Sequence, residues 1–160
     1  MRKSVSAVMT RNPIVVRPTT PIGEAIQLLA EKRISALPVV NEQGHLVGIV
    51  AESDLMWRET GVIPPAYIML FDSVIYLQTP TKFERSLHKA LGQSVADVMS
   101  PHPTTITSEQ SLPDAAKLMN ERQVHSLPVL DDDHQLVGIL TRGDIIRLMA
   151  AELQAVPAAV

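Results

Sequence analysis

A chain of 160 residues with 46% hydrophobic and 19% charged residues has the composition of a globular protein rather than a disordered one. Its formal charge of -3 offers no basic field to a nucleic-acid backbone, and its lysines and arginines are scattered rather than striped along one face. The lack of cysteine removes disulfides, thiolate nucleophiles and the usual zinc frameworks together, and it fits a reducing compartment, so a cytoplasmic location is expected.

Met1-Arg2-Lys3 leads into Ser, Val and Ala rather than the apolar core of a secretory leader, and none is expected. Ile14-Val15-Val16 reads as a β-branched strand. Thr20-Pro21 then opens a helix whose apolar stripe is Ile22, Ala25, Ile26 and Leu29. Leu37-Pro38-Val39-Val40 is the next strand, and the turn Asn41-Glu42-Gln43-Gly44-His45 joins it to Leu46-Val47-Gly48-Ile49-Val50 as a hairpin. A helix is expected from about Ser53 and Asp54, which gives the order β-α-β-β-α.

The same order recurs without a gap. Val5 to Met56 lies over Val95 to Ile146, matching Val8-Met9 with Val98-Met99 and Pro13 with Pro103. Leu37-Pro38-Val39 matches Leu127-Pro128-Val129, Leu46-Val47-Gly48-Ile49 matches Leu136-Val137-Gly138-Ile139, and Asp54 matches Asp144. In the second copy the elements are a strand at Thr104 to Thr107, a helix from about Ser111 to Arg122, strands at Leu127 to Leu130 and Leu136 to Leu140, and a helix from Arg142. The Asp131-Asp132-Asp133-His134 stretch lacks the alternating ligands and closing Glu of a calcium loop and falls on a hairpin turn of the first copy.

Repeats of about fifty residues bury too little surface to stand alone, so the halves are expected to share a core, pack about a pseudo-two-fold axis and enclose paired clefts. Each copy is expected to form a three-stranded sheet with both helices on one side. The fold class is α/β (α+β), with repeat 1 at residues 1–56, an insert at 57–94, repeat 2 at 95–150 and a C-terminal tail at 151–160.

Every aromatic residue of the chain falls in the insert: Trp57, Tyr67, Phe71, Tyr76 and Phe83. Thr81-Lys82-Phe83-Glu84 is a capping box for a helix that carries Phe83, Leu87, Ala90 and Leu91 on one side and ends at Gly92. The apolar run from Val62 to Leu77 reads as another helix or a packed arm after Pro64-Pro65, so the insert is expected to be mainly helical. That run holds Pro64, Pro65 and Asp72 and is too short to span a bilayer, and no membrane crossing is expected. Rings concentrated outside the repeats suit either a fold-back onto the chain's own sheet or a contact with a second subunit.

The segment Gly138-Ile139-Leu140-Thr141-Arg142-Gly143-Asp144 runs a strand into a helix with a hydroxyl and a carboxylate three positions apart. Taken alone, Thr141 and Asp144 read first as an N-cap and its acidic third residue. His45, His88, His102 and His134 show no metal-ligand spacing, and no nucleophile motif or phosphate loop is present, so neither a metal site nor an enzyme is expected.

The duplicated pattern, with V-M near each start, S-A-L-P-V or H-S-L-P-V in the middle and V-G-I-V or V-G-I-L running to Asp, resembles a tandem pair of cystathionine-β-synthase (CBS) domains. The resemblance covers about two-thirds of the chain and leaves the insert outside. It implies a regulatory module that binds an adenosine-containing ligand between the repeats: AMP, ADP or ATP, with S-adenosylmethionine less expected. By that resemblance Asp144 accepts hydrogen bonds from ribose hydroxyls, with Thr141 assisting, since an ionised carboxylate has acceptor oxygens for both donors of a cis-diol. The base is expected against Pro13, Ile14, Ile34 and Ser35 of repeat 1 with His125 and Ser126 of repeat 2; for Ile14 and Ile34, core packing is the competing reading. His125 is a candidate for phosphate, as are Arg11, Lys32, Arg33, Arg122 and Arg142, each of which is otherwise a solvated surface charge.

Repeat 1 departs from the motif, with Ala51 where the hydroxyl belongs. A second, weaker cleft is expected around Asp54, Thr104 and Val124, with Glu52 beside it repelling phosphate. The resemblance also implies a homodimer through the helices and a regulated protein partner. The alternative is a structural interaction module with no ligand, in which Thr141 and Asp144 only cap a helix.

Overall fold

The computed structural model describes residues 3–56, 67–70, 73–76 and 92–155. A 3-10 turn at Val5–Ala7 precedes β1 (Thr10–Arg11), α1 (Ile22–Lys32), β2 (Ala36–Val40), β3 (Leu46–Ala51) and α2 (Glu52–Leu55). A hairpin of β4 (Tyr67–Leu70) and β5 (Ser73–Tyr76) follows. The second copy comprises α3 (Val95–Val98), β6 (Ser100–Pro101), β7 (Ile106–Thr107), α4 (Leu112–Glu121), β8 (Ser126–Leu130), β9 (Leu136–Thr141) and α5 (Arg142–Ala155). The result is a mixed α+β fold in which the two copies repeat each other down to the backbone. Left-handed residues occur in register pairs: Asn12 with His102, Arg33 with Gln123, and Gly44 with His134.

The apolar periodicities place the elements as expected. Ile22, Ala25 and Leu29 of α1 and Leu112, Ala115 and Met119 of α4 are buried at i, i+3 and i+7. Ile26, expected on the same stripe, is 42% exposed at the stripe's margin. Strands β2 and β3 pair antiparallel, Ala36 opposite Ala51, and β8 pairs with β9 in the same register, Ser126 opposite Thr141. The turn at Asp131 closes through its own carboxylate, which accepts from the amides of Asp133 and Gln135. All five residues of β2 are buried, the pattern of a strand covered on both faces.

The shared core takes a form that hydropathy does not indicate: each repeat's leading segment is exchanged into the other repeat. Val5 and Met9 pack with Ile106, Leu112, Met119, Leu127 and Leu140 of the second repeat. Val95 and Val98 pack with Val16, Ile22, Leu29, Leu37 and Val50 of the first. Matching hydrogen bonds fix the exchange: Val5 N–H donates to the Gln110 carbonyl at 2.8 Å, and Val95 N–H to the Thr20 carbonyl at 2.9 Å. The sheets therefore run β1-β9-β8-β7 and β2-β3-β6, each edged by a strand of the other copy. Among the described residues there are two hydrophobic cores, stitched together by this exchange, rather than one.

The expected first strand shrinks to a single parallel bridge, Val16 with Val39. Val16 donates to the Pro38 carbonyl and accepts from Val40 N–H. The next rung would need an amide hydrogen from Pro38, which has none, so the ladder stops and Ile14 and Val15 stay outside it, 38% and 40% exposed. Pro128 stands at the same place in the second copy, where β7 is only Ile106–Thr107 instead of the expected run from Thr104.

In the insert, the stretch read as a helix or arm contains an antiparallel hairpin with Tyr67 opposite Tyr76 and Leu70 opposite Ser73. Two residues join these β-branched and aromatic runs, a spacing that favours a hairpin. The expected helix at 81–91 lies outside the described residues. The last helix, α5, continues to Ala155, into the residues expected as a C-terminal tail. No helix among the described residues is long and apolar enough to cross a membrane.

Candidate functional site

The exchange of leading segments brings the end of β9 and the start of α5 against the entry to β2. A cavity of about 470 Å³ opens there, and both repeats supply its walls. Repeat 1 contributes Thr10 of β1 with Asn12, Pro13 and Ile14 after it, and Arg33, Ile34 and Ser35 of the α1–β2 connection with Ala36 at the start of β2. Glu52, the first residue of α2, completes that side, while Ile139, Thr141, Gly143, Asp144 and Arg147 form the other. Two arginines and two acidic residues are thus among its lining residues, with no excess of either charge.

Asp144 sits where β9 turns into α5 and its side chain is 10% exposed. Its Oδ2 accepts from Thr141 N–H at 2.8 Å and from Thr141 Oγ1 at 2.7 Å, while Asp144 N–H returns a 3.2 Å bond to Thr141 Oγ1. This is a reciprocal cap of the kind that satisfies free amides at a helix start, and it fixes the carboxylate's direction. Oδ1 accepts from Arg147 Nη2, one turn along α5. Capping and facing a cleft are both realised in Asp144.

Ile34 likewise serves two surroundings, packing against the first core while lining the cavity. Backbone strain collects at the same place, since Asn12 and Arg33, at φ of 47° and 52°, both line it.

Six of the nine residues expected for this cleft converge there: Pro13, Ile14, Ile34, Ser35, Thr141 and Asp144. His125, Ser126 and Arg142 do not line it, and the repeat geometry gives the reason. Glu52 N–H donates to the Ser35 carbonyl, and Arg142 N–H to the His125 carbonyl, so Ser35 with Glu52 is the counterpart of His125 with Arg142. The pair from repeat 1 lines the cavity that holds Asp144, and the pair from repeat 2, its counterpart by register, does not. Ser126 is itself buried within β8. Glu52, expected to disturb phosphate near Asp54, lies at the Asp144 cavity instead: residues two apart on a helix point in nearly opposite directions. Of the expected phosphate candidates, Arg33 lines this cavity. Arg147 does as well, and its position three residues after Asp144 was the available signal for it.

The CBS domain family model matches residues 5–59 and 95–151. The chain belongs to the CBS domain family. It is 38% identical over 137 residues to the CBS domain-containing protein CBSX1, chloroplastic, of Arabidopsis thaliana, covering 83% of this chain and 57% of that protein. It is 35% identical over 148 residues to protein MJ1426 of Methanocaldococcus jannaschii, covering 87% of each. Among solved structures, CBSX2 of Arabidopsis thaliana in complex with AMP superposes with a TM-score of 0.76 at 31% identity, over 94% of this chain and 98% of that one. The chain spans 57–58% of the length of the two chloroplastic relatives that it matches.

Within this CBS pair the two motif carboxylates differ. Asp54 is 7% exposed and its Oδ2 accepts from Ala51 N–H at 2.9 Å. Ala51 has no hydroxyl to repeat the Thr141 contact. Asp54, Thr104 and Val124 line neither the Asp144 cavity nor a second cavity of about 490 Å³, which is bordered by His45, His102, Pro103, Thr105 and His134 at the hairpin end of the CBS pair.

Proposed function

We propose that this CBS pair is a regulatory nucleotide-sensing module rather than an enzyme, taking an adenosine nucleotide of the AMP, ADP or ATP class into the Asp144 cleft and passing the signal to a protein partner. The observation that carries this reading is the cavity itself: both repeats supply its walls, its volume lies in the range of ligand sites, and a fixed carboxylate stands at one end. Asp144 accepts the ribose hydroxyls through the lone pairs that Thr141 leaves open, Ile14 and Ile34 give the base apolar surface, and Arg33 and Arg147 supply cations for phosphate. The likeness to a CBS pair crystallised with AMP, at 31% identity, supports the ligand class. S-adenosylmethionine is the less favoured occupant, and the Asp54 side, without the hydroxyl, is the weaker site.

Because the cavity's walls come from both repeats, a ligand in it joins the two lobes. Occupancy at about 100 times the dissociation constant stabilises the bound form by roughly 2.7 kcal/mol, enough to shift a balanced equilibrium of lobe angles. The module acts as a homodimer: α5 carries Ile146, Met149 and Leu153 exposed at i, i+3 and i+7, and Met56 of α2 is also exposed. The cysteine-free chain suits the cytoplasm.

The alternative, an interaction module without ligand, draws on the cap that Thr141 and Asp144 already complete. Calorimetry separates the two. AMP is expected to bind, and Asp144→Ala to weaken it about tenfold to a hundredfold through loss of charge-assisted bonds, with Asp54→Ala mattering less. Failure of AMP, ADP, ATP and S-adenosylmethionine to bind below millimolar concentration selects the interaction module.

A further inference from the structure

Both oxygens of Asp144 are engaged. Thr141 occupies Oδ2, and Arg147 Nη2 donates to Oδ1 at 2.5 Å. The two members of this ion pair differ in exposure, 74% for the Arg147 side chain against 10% for Asp144, so the guanidinium lies over the carboxylate on its solvent side while lining the cavity. The guanidinium also passes close to Gly143, where a Cβ would stand 3.3 Å from Arg147 Nη1. At the matching positions repeat 1 has Ser53 and Trp57, so the arrangement belongs to the second repeat's sequence alone.

We propose that Arg147 makes the Asp144 cleft select a phosphorylated nucleoside over the bare nucleoside, by covering the carboxylate until a phosphate draws its guanidinium away. The proposal rests on the nucleotide reading given above and adds to it a residue that sets specificity. The carboxylate of this pair is nearly buried, so uncovering Oδ1 has a cost that a ligand must offset, while the exposed guanidinium is free to swing toward another anion. A phosphate offers the same fork of donors a doubly anionic, bidentate acceptor in a partly enclosed cleft. A bare nucleoside has no such acceptor, and its ribose must compete with the guanidinium for Oδ1. The ligand's differential affinity for the two arginine positions is then what shifts the equilibrium. Arg33 does not substitute, because it is held at the left-handed end of α1 on the wall that also carries Glu52, whereas Arg147 shares a helix face with Asp144.

The test is calorimetric titration of the full chain and of Arg147→Gln with AMP and with adenosine at one ionic strength. Wild type is expected to favour AMP by about tenfold or more, and the variant by about threefold or less, with AMP weakened and adenosine unchanged or tighter. Arg147→Lys, which keeps the charge but loses the fork, is expected to fall between them. An AMP preference that survives Arg147→Gln, an equal loss for both ligands, or equal binding of both ligands by wild type overturns the proposal. Absence of binding by either ligand to wild type is the distinct result that removes the nucleotide reading, and this proposal with it.

Discussion

Met9 lies where a side chain on Gly138 would be: a Cβ at Gly138 would come within 2.5 Å of Met9 Sδ and 3.0 Å of the Thr10 carbonyl. The same relationship joins Gly48 to Met99, with a Cβ 2.6 Å from Met99 Sδ. These glycines let the leading segment of each repeat cross the other repeat's strand closely enough for β1 to pair with β9, and β6 with β3. Gly138→Ala is expected to lower stability by about 1–3 kcal/mol through overpacking against backbone that cannot retreat freely. Combined with Met9→Ala its cost should be less than additive, a coupling that denaturant midpoints of the two single variants and the double variant will measure.

The exchanged cores make a directional prediction. Val5 is fully buried among residues of the second repeat, so Val5→Ala should cost about 1.5–3 kcal/mol. Amide exchange is expected to quicken first in β8 and β9, far along the sequence, rather than in β2 and β3. Val95→Ala should give the reverse pattern.

Arg33 ends α1 in the left-handed region at φ 52°, a conformation that glycine adopts without cost. Arg33→Gly is expected to raise stability by about 0.5–1 kcal/mol, with a higher thermal midpoint as the readout. A lowered midpoint would show that the arginine side chain contributes more to the fold than its backbone costs.

The apolar stripe of α5 predicts the behaviour of the assembly. Static light scattering should return the mass of a dimer, and Met149→Glu or Leu153→Glu should return that of a monomer, because a charge would be buried without a partner.

Legibility in the sequence followed from how local each signal was. The hairpins β2–β3 and β8–β9 were readable because their apolar runs and turn residues lie within a dozen positions of one another. The exchange was not, because Val5, Met9, Val95 and Val98 announce burial without announcing which core receives them. Pro38 was visible as a strand residue, but its effect on the neighbouring ladder depends on which strand lies beside it. The same limit shaped the site. Asp144 and Thr141 carry a local motif and the entry at Ile34 and Ser35 follows from the repeat register. Placing Glu52 and His125 required knowing that a residue two positions from the motif carboxylate, or the second repeat's own entry segment, turns toward the opposite side.

Whether Asp144 holds one adenosine nucleotide between the repeats is read from amide chemical shifts during an AMP titration of the nitrogen-15-labelled chain. Saturable changes that share one dissociation constant are expected at Ile34 and Ser35 of repeat 1 and at Thr141, Gly143 and Asp144 of repeat 2. Changes confined to His45, His102 and His134, or none at all, would contradict it.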